Sequence, residues 1–151
     1  MKSQNEDLIW QIRHFIYQHF TSATLPPNLA ETADRFHPSL DKTRAVYQEL
    51  HQRDAIYLEP GKACIRMAFP FSAVPTPFRV HTLIKSYWAN CAWDSLGVPA
   101  ALQCDAIIET ACAETPQPLT LFVRDARLFA HGECAHFLLP FRQWYDNLEF
   151  T

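Results

Sequence analysis

The sequence of 151 residues has few glycines and no long apolar run, and both shortages narrow the choice of protein class. No apolar stretch reaches the ~18 residues that a membrane-spanning helix needs. Only three glycines stand against eleven prolines, so we expect many turns to be built from Pro, Asn and Asp. The formal net charge of −3 argues against a polyanion as an obligatory partner.

The cysteines lack the pattern of a disulfide framework. There are five, an odd number, and no two of them form a Cys-x-x-Cys pair. The polar and acidic segment at residues 1–7 does not resemble a secretion signal. We therefore expect a soluble, cytoplasmic protein whose cysteines are free thiols, as is usual in a reducing compartment.

Apolar side chains are abundant enough for one globular domain, or for two small ones that share a core. Hydrophobic residues make up 48% of the chain and aromatic residues 13%. In the first half, apolar residues recur at helical spacing and are followed by two short β-like runs about a Pro-Gly turn. The predicted elements are helices at Asp7–Phe20, Leu29–Phe36 (capped by Asn28) and about Leu40–Arg53, and a hairpin of Ala55–Leu58 and Cys64–Phe69.

Three helices followed by a hairpin are the order of a winged-helix unit, which we expect at residues 1–69. In a DNA-binding winged helix, residues 41–44 (Asp-Lys-Thr-Arg) would reach a groove. The same helix carries Glu49, and Asp34 and Asp54 flank it, so no strong basic face results. A winged helix can also serve as a packing module, and nucleic-acid binding is therefore possible but not favoured.

The second half predicts a small, mainly β unit at residues 79–151, joined to the first by a connector rich in Pro and Phe at residues 70–78. The prolines favour an extended connector. Asn90 is a good N-cap and Gly97 a good C-terminal stop, which predicts a short helix near residues 91–96. The predicted strands are Ala106–Thr110, Leu119–Val123 and Ala135–Leu139. The expected fold class is α+β.

A thiol and a carboxylate stand three positions apart in Cys91-Ala-Trp-Asp94. On a helix they would share a face. The N–H groups of the first turn would favour the Cys91 thiolate and the Asp94 carboxylate would oppose it, so that the two could share one proton. Such a pair could bind a soft electrophile and deliver a proton. Taken alone, the spacing favours a simpler interpretation, a buried cysteine next to a capping or solvated aspartate.

The residues around Cys91 and Asp94 form a longer recognisable pattern. Residues 88–100 read Trp-Ala-Asn-Cys-Ala-Trp-Asp-Ser-Leu-Gly-Val-Pro-Ala, and a second cysteine begins the turn-like segment Cys112–Pro118. The stretch resembles the active-site segment of the organomercurial (alkylmercury) lyase family, which reads aromatic-x-x-Cys-Ala-x-Asp-[Ser/Thr]-Leu-x-x-Pro-Ala and has a cysteine before a tight turn downstream. The resemblance is sharp over Tyr87–Pro118, and the chain looks like a short or diverged member.

The resemblance implies protonolysis of a carbon–mercury bond to give a hydrocarbon and Hg(II), with no organic cofactor. Cys91 would bind the soft metal as a thiolate, and Asp94 would relay the thiol proton to carbon. The family brings a second thiol from a later segment, for which Cys134 is the candidate here. If Cys134 does not reach Cys91, an external low-molecular-weight thiol would serve. Trp88 and Trp93 flank Cys91 and are candidates for lining an apolar substrate pocket.

Two other functions stay open. One is a metal- or thiol-responsive winged-helix transcriptional regulator, and the other is a relative that binds a soft metal without catalysis. His131, Cys134 and His136 form a His-x-x-Cys-x-His cluster of possible metal ligands. Because no fourth ligand is evident, we interpret these three residues as packed side chains of a turn and strand.

Overall fold

The computed structural model of the protein describes residues 2–146, which begin with three helices. These are α1 (Lys2–Ala23), α2 (Leu29–Phe36) and α3 (Leu40–Gln52). The predicted cap of α2 is confirmed: the Asn28 side chain accepts a hydrogen bond from the Glu31 backbone N–H at 2.9 Å, and the Glu31 carboxylate accepts one from the Asn28 N–H at 2.7 Å. This reciprocal arrangement satisfies two backbone donors at the helix start.

The strands form one antiparallel sheet of eight. They are β1 (Tyr57–Leu58), β2 (Ile65–Ala68), β3 (Phe71–Ser72), β4 (Phe78–His81), β5 (Ser86–Ala89), β6 (Ala106–Ala111), β7 (Pro118–Arg124) and β8 (Arg127–Phe129). Their order across the sheet is β1-β2-β3-β5-β4-β6-β7-β8. A fourth helix, α4 (Ala92–Leu102), follows β5, and a short 3₁₀ helix spans Phe141–Asp146. The α+β class is confirmed.

The connector at residues 70–78 contributes β3 to this sheet. Phe71 pairs with Ala68 of β2 on one side and with Ala89 of β5 on the other. The sheet therefore continues across the expected boundary between an N-terminal and a C-terminal unit. The division of the chain into three segments stays a prediction.

A single buried cluster joins the helices to the sheet. Ile12, Ile16 and Phe20 recur along one face of α1 and are fully buried, as the helical spacing predicts. Phe71 lies against them, with its ring stacked on that of Phe20 at a centroid distance of 5.5 Å. Burial of one such phenylalanine stabilises the fold by about 1.5–3 kcal/mol. The connector is thus anchored in the core by its aromatic side chains.

The helix predicted near residues 91–96 exists, but both of its predicted ends are wrong. Cys91, not Asn90, is the N-cap, and α4 continues past Gly97 to a left-handed residue at Gln103 (φ 51°). Gly97 lies inside the helix, where a Cβ would come within 3.0 Å of the Cβ of Pro70. The glycine therefore permits close packing of α4 on the connector rather than a helix stop.

The strand predicted at Ala135–Leu139 is also wrong. That segment has no regular structure, and the edge strand of the sheet is β8. Asp125 and Ala126 both adopt positive φ angles, 49° and 58°, which suit a two-residue turn between antiparallel strands. The Asp105 carboxylate accepts a hydrogen bond from the Asp125 N–H at 2.9 Å and holds this turn. The turn therefore pairs β8 with β7. The other two predicted strands are confirmed as β6 and β7.

Among residues 2–146, no helix combines the length and the apolar character that crossing a bilayer requires.

Candidate active site

The candidate site lies where β5 passes into α4. Cys91 is extended, with φ −149° and ψ −178°, and its carbonyl accepts the first helical hydrogen bond, from the Ser95 N–H at 3.0 Å. The Cys91 side chain makes no capping hydrogen bond of normal geometry, although the N–H groups of Trp93 and Asp94 face its sulfur. The junction between strand and helix therefore fixes the direction of this thiol.

Asp94, in the first turn of α4, is a buried carboxylate, only 9% exposed. Burial raises the pKa of its carboxyl from 3.8 to about 6, because a charged group loses hydration there. Hydrogen bonds from Asn90 and Cys91 lower that pKa and offset part of the effect. The Asn90 bond runs from Nδ2 to Oδ2 of Asp94 at 3.1 Å.

Cys91 is half-buried, and the pKa of its thiol is raised, like that of the Asp94 carboxyl. Burial is the largest cause that raises the pKa of Cys91, and the Asp94 charge is the next. The facing N–H groups of Asp94 and Trp93 lower it only in part. Near neutral pH the Cys91 thiol is therefore protonated, beside an Asp94 carboxyl that is largely ionised.

Helix α1 lies close to this pair. The Tyr17 hydroxyl donates a hydrogen bond to the Phe69 carbonyl at 3.0 Å. Burial raises the pKa of Tyr17, and the charge of Asp94 raises it further, while the nearby Arg13 lowers it. The Arg13 guanidinium lies 4.7 Å from the centroid of the Tyr17 ring. The N-terminal helix thus places the Tyr17 hydroxyl near Asp94, and Arg13 near Tyr17.

The two predicted pocket tryptophans have different environments. Trp88 is in β5, and the guanidinium of Arg79, its partner in β4, lies 4.1 Å from the centroid of its ring. Trp93, at the start of α4, is 64% exposed. Because side chains alternate along a strand, Trp88 projects from the sheet face opposite to that of the buried Tyr87 and Ala89.

Cys134 lies in an exposed segment after β8. Its thiol donates to the Gly132 carbonyl at 3.8 Å, and among the described residues no hydrogen bond or charge interaction joins it to Cys91 or Asp94. Within residues 2–146, no group of three or more His, Cys, Asp or Glu side chains is arranged to hold a metal ion. The structure therefore brings Cys91 and Asp94 together and shows no such link to Cys134.

Sequence reasoning missed Asn90 as a site residue because it assigned the residue to a helix cap. Asn90 precedes the N-cap of α4, so the rule that side chains at i and i+4 are neighbours on a helix does not apply to Asn90 and Asp94. No local spacing in the sequence therefore predicts this hydrogen bond.

The protein is similar to known proteins in sequence and in structure. The model of the alkylmercury lyase family matches residues 71–144. Among solved structures, the mercury-bound form of MerB2 is similar, with a TM-score of 0.62 and 24% sequence identity. The similarity covers 85% of this chain but only 65% of that one, and at this identity it establishes the fold. No curated protein matches the sequence.

Proposed function

We propose that the protein cleaves the carbon–mercury bond of an organomercurial by protonolysis, because the model of the alkylmercury lyase family matches residues 71–144. The products are a hydrocarbon and Hg(II). The observation that carries the proposal is the half-buried Cys91 thiol beside the buried Asp94 carboxyl, both inside the matched segment. The pair supplies both a soft ligand for mercury and an acid for carbon.

The first step is ligand exchange at mercury. The Cys91 sulfur displaces the weaker ligand of the organomercurial and forms a sulfur–mercury bond, and its proton passes to the Asp94 carboxylate. The raised pKa of Cys91 disfavours a free thiolate, but mercury replaces the proton on sulfur as the proton leaves. Asp94, with a pKa of about 6, is ionised enough near neutral pH to accept it.

The second step is proton transfer to carbon. Asp94 returns the proton to the carbon atom bound to mercury, and the electron pair of the carbon–mercury bond becomes that of the new carbon–hydrogen bond. Hg(II) stays on the Cys91 sulfur. A carboxyl whose pKa burial has raised to about 6 is a stronger proton donor at neutral pH than the Cys91 thiol would be.

A second sulfur must take Hg(II) away, and we propose a low-molecular-weight thiol for this role. Cys134 is the alternative within the chain, but its exposure and its bond to Gly132 favour an external thiol. With excess dithiothreitol, Cys134→Ser is expected to keep its turnover rate within about twofold, as surface substitutions usually do. A loss of turnover in Cys134→Ser that excess thiol does not restore would make Cys134 the second sulfur.

For the N-terminal unit, residues 1–69, we propose a winged-helix-like arrangement that serves as a packing module. What supports a packing role is the contact of the Tyr17 ring with that of Phe71 in the connector, at a centroid distance of 6.5 Å, and the proximity of Tyr17 to Asp94. Arg44, a residue that would reach DNA, is paired with Asp41 of its own helix at 3.0 Å. Binding to nucleic acid stays a prediction. The exposed Trp93 is proposed to meet the organic group of the substrate, together with Trp88.

The proposal is tested by incubation of the protein with a simple organomercurial and excess thiol, with the released hydrocarbon measured by gas chromatography of the headspace. We expect release from the wild type and none above background from Cys91→Ser. The matched control is Cys64→Ser, which removes an exposed thiol in the β1–β2 hairpin. Absence of release from the wild type, or equal release from Cys91→Ser, contradicts the proposed function.

A further inference from the structure

The side-chain amide of Asn90 lies among acceptors only. Its nitrogen Nδ2 is 3.1 Å from Oδ2 of Asp94, 3.4 Å from the Pro70 carbonyl and 3.5 Å from the Phe71 carbonyl. With the amide turned over, its oxygen would face a carboxylate and two carbonyls, none of which can donate a hydrogen bond. The neighbours therefore fix which way the amide points.

The side-chain oxygen of Asn90 has an unfavourable environment. Among the described residues, the buried Asn90 Oδ1 has no hydrogen-bond partner. A buried acceptor without a partner is unfavourable, and native structures contain few of them. Its presence beside a functional pair indicates that the orientation of Asn90 serves the bond to Asp94 rather than the stability of the fold.

The carbonyls that Asn90 contacts belong to a rigid part of the molecule. Phe71 is 1% exposed and pairs with strands on both sides through β3. Pro70 packs directly against Gly97 of α4, where a side chain would not fit without displacement. The amide of Asn90 thus joins the first turn of α4 to a connector that the core holds in place.

We infer that Asn90 is a positioning residue, which orients the Asp94 carboxylate toward the Cys91 sulfur and toward the substrate carbon that is bound to mercury. A carboxylate can otherwise rotate about its bond to Cβ, since that torsion is broad. A bond from a fixed amide to one oxygen removes this freedom. The inference rests on the proposed lyase function, because it assigns a task within proton transfer to carbon.

Two substitutions remove the donor in different ways. Asn90→Leu replaces the amide by an apolar group of similar size, and Asn90→Asp keeps size and polarity but cannot donate from an ionised carboxylate. We expect kcat for hydrocarbon release to fall about 10- to 100-fold in both, the usual loss when a residue that orients an active group is removed. KM for the organomercurial should stay within about threefold, because Cys91 still binds mercury.

Asn28→Leu is the matched control. It removes an asparagine that caps α2 far from the chemistry, and should lower the melting temperature while kcat stays at the wild-type level. Binding of Hg(II) to each variant is followed by the ultraviolet absorption of the sulfur–mercury bond. Since Asn90→Asp preserves volume and polarity, the test does not depend on folding of the leucine variant.

The inference is overturned if either Asn90 variant keeps more than half of the wild-type kcat, or if KM rises in proportion to the loss of kcat/KM. A matching fall of kcat in Asn28→Leu also overturns it, because lost stability would then explain the effect. Failure of the proposed function itself looks different. In that case the wild type and the control release no hydrocarbon either.

Discussion

In two cysteines of this protein, backbone N–H groups face the sulfur, yet the pKa values of the two thiols are shifted in opposite directions. Cys91 precedes α4, and the N–H groups of Trp93 and Asp94 face its sulfur. Cys112 follows β6, and its sulfur accepts a hydrogen bond from the Thr115 N–H at 3.4 Å. Hydrogen bonds from Thr115 lower the pKa of Cys112, whereas burial and the charge of Asp94 raise the pKa of Cys91.

The comparison shows that backbone donors alone do not set the state of a thiol. Both sulfurs have them, and the difference lies in burial and in one carboxylate. Cys112 is the better thiolate at neutral pH, but it lacks an acid partner like Asp94. The proposed protonolysis consumes a proton, so a thiol beside a carboxyl that can carry this proton suits the reaction better than a thiol with a lowered pKa and no acid partner.

The largest expected effect is on hydrocarbon release, which should differ between variants of Cys91 and Cys112. Cys91→Ser should lower hydrocarbon release by on the order of 10³-fold or more, as loss of a nucleophile does in other enzymes. Cys112→Ser should stay within about twofold of the wild type, as a substitution in a surface turn usually does. Headspace gas chromatography under excess thiol measures both. Equal losses in the two variants would remove the distinction between the cysteines.

The next largest effect tests the role of Asp94 as the acid. Asp94→Asn keeps the size and polarity of the side chain but cannot carry the proton, so release should fall about 10²- to 10⁴-fold, the range for loss of a general acid or base. Binding of Hg(II) at Cys91 should persist, and ultraviolet absorption of the sulfur–mercury bond measures it. If Asp94→Asn retains full turnover, the thiol proton reaches carbon by another route.

The same variant should also change stability with pH. Because the folded-state pKa of Asp94, about 6, lies above its ordinary value of 3.8, the protonated form is favoured in the folded protein. Its contribution to stability is complete below pH 4 and is lost as pH rises through 6. Asp94→Asn should therefore unfold with a free energy roughly 2–3 kcal/mol higher than the wild type at pH 8, but not at pH 4.

Urea unfolding at the two pH values measures this difference. Asp94→Glu is the control, since it retains an ionisable carboxyl at the same position. If the difference in stability between the wild type and Asp94→Asn is the same at pH 4 and pH 8, ionisation of the Asp94 carboxyl does not destabilise the fold. The contrast with Cys112 would then depend on the burial of Cys91 alone.

The sequence contained the local part of this site. The spacing of Cys91 and Asp94 predicts that their side chains are neighbours, and in the structure they lie close enough for each to shift the pKa of the other. What no local pattern could reveal is the contribution of distant segments. Gly97 signals a helix end, yet its missing Cβ accommodates Pro70, which is close only in the folded chain. The pKa of a thiol likewise depends on burial, which the whole fold decides.

Dependence on distant segments also explains which predicted helix caps and strands are correct and which are wrong. Asn28 is recognisable as a cap because its capping partner, Glu31, lies only three residues away. Asn90 was misassigned because its partners include the connector carbonyls as well as Asp94. The strand expected at Ala135–Leu139 was drawn from apolar composition, whereas the edge of the sheet was decided by the left-handed pair at Asp125 and Ala126.

The smallest effect tests the comparison without any organomercurial. At pH 7.5, iodoacetamide should alkylate Cys112 faster than Cys91, on the order of tenfold, because the thiolate is the reactive form and burial also restricts access to Cys91. Peptide mass spectrometry after a timed quench measures both rates. Asp94→Asn should speed alkylation of Cys91 but not of Cys112, since it removes a negative charge beside one sulfur only. In urea the two rates should become equal, and a difference that persists in the unfolded chain would assign the contrast to neighbouring sequence rather than to the fold.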